Sequence, residues 1–356
     1  MPSDLDFLAR LLEAPGPSGF ERRPARVWRA EAEGFADRVW SDVYGNSFAV
    51  VGEERRPRVM FAGHMDEIGL QVTHITEKGF LYFGGIGGWD SQVLVGQRVT
   101  LMGREGDCPG VIGKKPIHLM KPEERKKVSE IEDLWIDLGA QSAHEVAEMG
   151  IRVGDPAVLA SGLVQLAGDR IASRAIDNRA GAYVVLEALR LLAEEPAPHA
   201  GAVAVATVQE EIGFTGGGAR SSAFYLDPDA ALVVDVTFST DVPDVSKKEV
   251  GEHELGGGPV LSRGSAMHPG VFDRLVNVAE GAEIPFTLMA APRSSRTDAD
   301  GIFLVRSGVP TGLVSIPNRY MHSPSEVVSA GDLKHAAELL AGFVRSLEAE
   351  ASFVQE

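Results

Sequence analysis

The sequence predicts an α/β protein with a mixed, mostly parallel central sheet, helices on both faces, and a small β-rich domain interrupting it. Three features of the chain predict this. After Ile171, short apolar runs alternate regularly with longer amphipathic stretches, the pattern of a sheet covered on both sides. Arg58-Val59-Met60-Phe61-Ala62 near the start reads as one more strand of that sheet. Between them, from Gly69 to about Gly168, β-type runs are separated by glycine-rich turns. The expected division is residues 1–68 with 169–356 as one domain and 69–168 as an insertion.

Each element follows from its local composition. Leu5 to Leu12 has helical spacing and is stopped by Pro15-Gly16-Pro17-Ser18-Gly19, and a second helix runs from about Arg23 to Ala32. Arg38 to Val43 and Ser47 to Val51, joined at Gly45-Asn46, read as a hairpin. The insertion carries strands at Leu70 to Ile75, Gln97 to Met102, Leu134 to Leu138 and Ala157 to Leu159, with a charged helical excursion near Lys121 to Glu130. Then follow a helix from Ala180 to Glu194, a strand from Val203 to Val208, a helix near Ala219 to Tyr225 and a strand from Ala231 to Asp235. Helix Phe272 to Glu280, strand Pro285 to Met289, helix Asp298 to Arg306, strand Thr311 to Ile316 and a terminal helix from Ala330 to about Glu348 complete the order, with Ser329 as the last N-cap.

Composition narrows the function. The 356 residues suit two domains, and 44% hydrophobic against 24% charged residues is ordinary for a chain with a real core. With 51 acidic and 34 basic residues, a formal charge of −17 repels phosphate backbones and argues against nucleic acid as a partner. A single cysteine, Cys108, excludes both an internal disulfide and a cysteine-based zinc site, and reads as structural. No apolar run approaches the roughly 18 residues that span a bilayer, and Met1 to Pro15 lacks the basic start and apolar block of a signal peptide. A soluble, cytoplasmic protein is expected.

The histidines and acids cluster at strand ends. In open α/β sheets, ligand sites gather at the carboxyl ends of strands. His64 and Asp66 follow one strand, Glu210 and Glu211 another, Asp235 ends a third, and His322 follows a fourth after a short loop. Asp177 precedes the helix that begins near Ala180. So many acids brought together would repel one another unless cations compensate them, which points to metal. His64-X-Asp66 suits an imidazole oriented by a carboxylate on its other nitrogen. If Glu210-Glu211 is extended, the two face opposite sides, so one binds metal while the other faces water as a general base. The alternative for that pair is a solvated loop, although Gly213 and Gly216-Gly217-Gly218 would let the backbone pass close to a ligand.

Five segments then resemble, in order, the motifs of the M42 family of two-metal aminopeptidases. They are Phe61-Ala62-Gly63-His64-Met65-Asp66-Glu67-Ile68-Gly69, Ala175-Ile176-Asp177-Asn178-Arg179, Thr207-Val208-Gln209-Glu210-Glu211-Ile212-Gly213, Val233-Val234-Asp235-Val236-Thr237 and Pro317-Asn318-Arg319-Tyr320-Met321-His322-Ser323-Pro324. Pro17-Ser18-Gly19-Phe20-Glu21 and Gly113-Lys114-Lys115-Pro116-Ile117-His118 fit as well. The resemblance, to glutamyl and tetrahedral aminopeptidases sometimes labelled endoglucanases, implies a metallo-exopeptidase fold that hydrolyses N-terminal residues from short peptides. It implies that Asp177 bridges two divalent ions, zinc or cobalt by ligand type, one adding His64 and Asp235 and the other Glu211 and His322. It makes Glu210 the general base, with Asp66 behind His64. It also implies dimerisation through the β-rich domain and a homo-oligomer, up to a hollow dodecamer built from dimers.

One segment departs from the family pattern: Pro292-Arg293-Ser294-Ser295-Arg296, upstream of Thr297-Asp298-Ala299, is more basic than the resemblance leads one to expect. Arg293 or Arg296 would favour acidic substrate side chains if this segment lines the pocket, and is a solvated loop otherwise. His118 reads as structural, and His268, before Pro269, as a loop histidine with no assigned role. Two rivals stay open: another two-metal hydrolase acting on acyl groups or glycans, and a non-enzymatic scaffold retaining the fold. A glycosidase would use paired carboxylates without metal, so chelator-insensitive cellulose cleavage would favour it.

Overall fold

The computed structural model describes residues 5–213 and 217–354. The chain opens with helices α1 (Asp6–Glu13) and α2 (Arg22–Ala32), the antiparallel pair β1 (Arg38–Ser41) and β2 (Ser47–Val51), and β3 (Arg58–His64). Helix α1 buries Phe7, Leu8, Leu11 and Leu12, one face at helical spacing.

The insertion is a closed antiparallel barrel of β4 (Gly69–Ile75), β5 (Phe80–Ile86), β6 (Arg98–Met102), β7 (Asp107–Gly113), β8 (Trp135–Asp137) and β9 (Pro156–Leu159), with α3 (Ala143–Glu148) before the last strand. Its strands run in the order β4-β5-β8-β7-β6-β9 around a core that includes Leu70, Leu81, Val99, Leu101, Ile112 and Ile136. Closure leaves no unpaired sheet edge. The charged excursion near Lys121 to Glu130 is not an α-helix: only a 3₁₀ turn at Glu124–Lys126 forms there, because the stretch offers no apolar stripe to bury.

The chain returns through β10 (Val164–Gln165), β11 (Arg170–Ser173), α4 (Ile176–Glu194), β12 (Gly201–Thr207), α5 (Gly217–Leu226), β13 (Ala230–Phe238), α6 (Lys247–Val250) and β14 (Val260–Gly264). It ends with α7 (Pro269–Gly281), β15 (Thr287–Ala291), α8 (Asp298–Ile302), β16 (Thr311–Asn318), β17 (Glu326–Ser329) and α9 (Ala330–Arg345). The main sheet has eight strands in the order β1-β2-β12-β3-β13-β16-β14-β15, and β12, β3, β13 and β16 at its centre are mutually parallel. A small sheet, β10-β11-β17, lies apart from it.

Both faces of the main sheet are covered, and the strands show it residue by residue. Val59 and Phe61 of β3 enter the core under α1, α2, α4, α7 and α9, whereas Met60 and Ala62 enter the core under α5 and α8. Strand β12 divides the same way, with Ala202, Ala204 and Ala206 on one side and Val203 and Val205 on the other. Helix α4 lies almost in contact with β3: a Cβ on Gly63 would stand 2.6 Å from the Gly181 carbonyl carbon. Only glycines permit that approach, which places the start of α4 over the end of β3.

Several elements differ from the sequence expectation. Helix α8 stops at Ile302 rather than Arg306, which has φ +55°. Helix α3, the single turn α6 and strands β5, β7, β10, β11, β14 and β17 were not expected. Ser329 precedes α9 but makes no capping bond, because its hydroxyl donates to Asp169 instead. Residues 1–4 of the N-terminal stretch and Gly216 of the glycine run lie outside the described residues.

Candidate metal centre and active site

The carboxyl edge of the four parallel strands collects the acids and imidazoles. His64 is the last residue of β3, Glu210 and Glu211 lie in the turn after β12, Asp235 sits within β13 just before its end, and His322 is in the loop between β16 and β17. Asp177 comes from the first residues of α4, where Asp177 and Asn178 depart from helical geometry. Asn178 fixes that departure by donating to the Val234 carbonyl at 2.8 Å and accepting from the Gly181 amide at 2.9 Å.

Two groups of ligand atoms result. Those of His64, Asp177 and Asp235 lie within 4.8 Å of one another, as do those of Asp177, Glu211 and His322. His64 Nε2 is 3.3 Å from Asp177 Oδ1 and 3.8 Å from Asp235 Oδ1. His322 Nε2 is 3.4 Å from the other Asp177 oxygen and 3.3 Å from Glu211 Oε2. Both rings are held from behind: His64 Nδ1 faces Asp66 Oδ1 at 3.3 Å, and His322 Nδ1–H donates to the Gly88 carbonyl at 2.8 Å. Gly88 belongs to the β5–β6 connection of the barrel, so the barrel orients one of the rings.

The electrostatics of the cluster call for positive charge. Burial pushes the Glu210 carboxyl up to about 10, with Asp235, Asp298 and Glu211 adding to it and His64 opposing. Burial, with Asp177, raises Glu211 to about 7, and Asp235 is raised well above the carboxylate range for the same two reasons. Burial alone would lower the His64 imidazole, but Asp66, Asp177 and Glu210 reverse the shift. Glu211 Oε1 is buried without a hydrogen-bond partner among the described residues. An orphaned carboxylate oxygen is costly, and imidazole nitrogens with carboxylate oxygens are a donor set that divalent cations satisfy. The residues present fit metal.

Glu210 and Glu211 are not extended. Gln209 has φ +62° and the pair lies in a turn, so the two side chains diverge through turn geometry rather than strand alternation. The nearby glycines also do something other than admit a ligand. A Cβ on Gly217 would stand 2.7 Å from the Gln209 carbonyl oxygen, and one on Gly218 2.0 Å from Asn46 Oδ1. They let the first turn of α5 close against this loop.

Glu326, which the sequence reading passed over, is 2% exposed and has both oxygens committed to backbone. Its Oε2 accepts from the Asp177 amide at 2.9 Å and its Oε1 from the His322 amide at 2.8 Å. Burial, with Asp177 adding, raises its carboxyl well above the ordinary range. Asp298, also unassigned from sequence, accepts from the Thr207 hydroxyl and leaves Oδ1 buried without a partner among the described residues. His268 caps α7 beside Thr311, the first residue of β16, and so sits at the edge of the sheet opposite the site. His118 is exposed on the barrel.

An open cleft of about 580 Å³ begins at Glu210 and is lined by Gly213, Arg220, Ser294, Arg296, Thr297, Asp298, Asp300, Gly301 and Leu304. Arg296 reaches it and Arg293 does not; Arg220 of α5 joins from the other side. Neither Arg220 nor Arg296 forms an ion pair with its side chain among the described residues, whereas Asp300 is tied to its own loop through the Ser295 and Arg296 amides.

Imidazoles and carboxylates gathered around a shared aspartate, beside a buried glutamate and an open cleft, define the class: a metal-dependent hydrolase. Over residues 45–339 the chain matches the family model described as M42 glutamyl aminopeptidase. It is 35% identical to a lysyl aminopeptidase of Pyrococcus furiosus over 348 residues, covering 97% of this chain and 98% of that one. Its structure is similar to that of a TET aminopeptidase from the marine sediment archaeon Thaumarchaeota archaeon SCGC AB-539-E09, with TM-score 0.92 and 37% identity over 98% of this chain and 97% of that one. It is also similar to the Pyrococcus horikoshii TET1 peptidase, which can assemble into a tetrahedron or a large octahedral shell, with TM-score 0.85 and 30% identity over 97% and 100% of the two chains. The chain belongs to the M42 family and is a metal-dependent aminopeptidase.

Proposed function

We propose that the protein removes N-terminal residues from short peptides using two divalent ions, zinc or cobalt. His64, Asp177 and Asp235 would hold one ion, and Asp177, Glu211 and His322 the other. Bound there, such ions supply Lewis acidity and lower the pKa of water. Glu210, at the mouth of the cleft, takes the proton of the attacking water and delivers it to the departing amine. Asp66 keeps His64 oriented and holds the Glu210 and Glu211 amides, at 3.2 and 3.1 Å. The observation that carries this reading is the pair of triads sharing Asp177 beside Glu210.

The first residue preferred by the cleft is proposed to be acidic. Family names do not decide this, since the matching family model is described as glutamyl and a close relative is a lysyl aminopeptidase. The guanidinium groups of Arg220 and Arg296, which form no ion pair among the described residues, support it, because each gains a partner from a substrate carboxylate. A panel of aminoacyl chromogenic substrates, assayed after metal stripping and after reloading with zinc, cobalt or manganese, tests both points. Turnover is expected only after reloading and fastest for glutamyl and aspartyl substrates. Arg220→Ala is expected to lower kcat/KM for glutamyl substrates roughly fivefold, the scale of an exposed ion pair. Turnover in chelator would sink the metal reading, and equal rates for glutamyl, leucyl and lysyl substrates would sink the acidic preference.

The barrel is proposed to be a dimerisation module of a homo-oligomer, up to a dodecamer built from dimers. Val111, Ile117, Leu119 and Val128 are exposed apolar side chains on it, and a partner surface would cover them. The TET1 relative's shells support the same reading. Sedimentation is expected to show no monomer at micromolar concentration; a monomer alone would refute it. No helix among the described residues is long and apolar enough to cross a membrane, which supports the proposed cytoplasmic location.

A further inference from the structure

The turn that carries Glu210 is held from below by carboxylates. Three consecutive amides point the same way: Gln209 N–H to Glu21 Oε1 at 3.2 Å, Glu210 N–H to Asp66 Oδ1 at 3.2 Å and Glu211 N–H to Asp66 Oδ2 at 3.1 Å. Successive amides around a residue with positive φ form a concavity that binds anions, and Gln209 at φ +62° creates one here. In this protein the concavity is filled by two of the chain's own acids. Asp66 has a second duty beside His64. Glu21 forms no hydrogen bond or ion pair with a candidate ligand side chain among the described residues and does not line the cleft, yet it is only 7% exposed and its Oε1 also accepts from the Gly19 amide at 2.7 Å.

We infer that Glu21 is a positioning residue for hydrolysis: by holding the Gln209 amide it fixes the turn from which Glu210 reaches the cleft. This rests on the peptidase reading and adds to it the N-terminal segment Ser18 to Glu21, which that reading does not otherwise use. Left-handed backbone at a non-glycine residue is strained and persists only where its surroundings hold it. Without Glu21 the Gln209 amide is half-buried and unpaired, and the turn relaxes. Glu210 moves with it, while the Glu211 amide stays on Asp66 and the metal ligands keep their places. Burial, with Asp66 adding, pushes the Glu21 carboxyl up to about 7. Near neutrality the group is therefore partly the neutral acid, whose carbonyl oxygen still accepts, so the Gln amide is a close mimic.

The test compares Glu21→Gln and Glu21→Leu in the full-length, metal-loaded protein, reading kinetics, metal content and hydrogen exchange of the peptide spanning residues 205–213. Glu21→Leu is expected to lower kcat about 10- to 100-fold, the scale of a misplacement near 1 Å, with KM and metal content within twofold of the unsubstituted protein. Exchange across 205–213 rises in the same variant. Glu21→Gln is expected to keep kcat within about threefold and exchange unchanged, because Oε1 is still offered to the Gln209 amide. An unchanged kcat in Glu21→Leu, or a loss in Glu21→Gln as large as in Glu21→Leu, would overturn the inference. So would metal loss in proportion to activity. A lack of peptidase activity in the unsubstituted protein would remove the peptidase reading and this role with it, and the exchange data would still show whether Glu21 holds the turn.

Discussion

Glu210→Gln is expected to lose turnover by about 10²- to 10⁴-fold while both triads bind metal as before. The amide has the shape of the acid and leaves the Glu210 backbone amide on Asp66, so the loop keeps its conformation. It cannot take a proton from water, and the neighbouring Asp177 and Asp235 belong to the candidate ligand groups. The same variant makes a prediction about stability in the metal-free protein. Burial raises the Glu210 carboxyl to about 10 in the fold, above its ordinary value of 4.5, so the folded state binds the extra proton throughout that interval. Folding stability therefore falls as pH rises from about 5 toward 10, and Gln removes that loss. Metal-free Glu210→Gln is expected to melt above the unsubstituted protein by a margin that grows between pH 6 and pH 9. Metal content by elemental analysis, steady-state rates and melting curves check the three parts. Undiminished turnover would refute the assigned base.

The parts of this site that could be read from sequence are those where a polar residue interrupts or ends an apolar strand. His64 after Val59-Met60-Phe61-Ala62 and Asp235 after Leu232-Val233-Val234 stand out because both faces of those strands are buried, so an imidazole or carboxylate there needs a reason. Glu210 and Glu211 were placed by the strand before them, but the expected extended geometry is replaced by a turn that depends on Glu21, Asp66 and Asn46, all distant in sequence. Glu326 was illegible for a different reason. Its task is to accept two backbone amides, and backbone partners leave no mark on the residues that supply them. Gly88 acts on His322 through a carbonyl, which every residue has. The basic segment shows the same limit: Arg293 and Arg296 are alike in sequence, and only the fold turns one into the cleft and brings Arg220 to meet it. The strand β17, four buried residues beside the loop that carries His322, is too short to show a period.

Arg179→Met is expected to destabilise the metal-free protein by about 3–5 kcal/mol, although Arg179 touches no candidate ligand side chain. It is fully buried and lies two residues beyond Asp177. Its Nη1 donates to the carbonyls of Leu11, at 2.8 Å, Leu12, at 3.2 Å, and Ala14, its Nε to Met65 at 3.1 Å, and its Nη2 to Glu67 at 2.8 Å. The carbonyls of Leu11, Leu12 and Ala14 end α1 and have no helical partners of their own, so one guanidinium satisfies the end of α1, the turn after His64 and the start of α4 together. Burial lowers its pKa to about 10, with Glu67 opposing, so it remains charged at neutral pH. Methionine fills much of the volume and leaves Glu67 paired with Arg174, which isolates the cost to the orphaned carbonyls and the lost charge-assisted bond. Arg179→Lys keeps the charge but not the fan of donors, and is expected to recover less than half of the loss. Melting temperature should fall by roughly 4–7 °C for Arg179→Met. Because α4 and β3 meet at this point, weaker zinc binding should accompany it, whereas Arg174→Met, whose guanidinium is tied to Glu67 and the Glu13 carbonyl, should cost less on both measures. Equal melting temperatures for Arg179→Met and the unsubstituted protein would show that the buried cluster contributes little, and that α4 is held in place by packing against β3 alone.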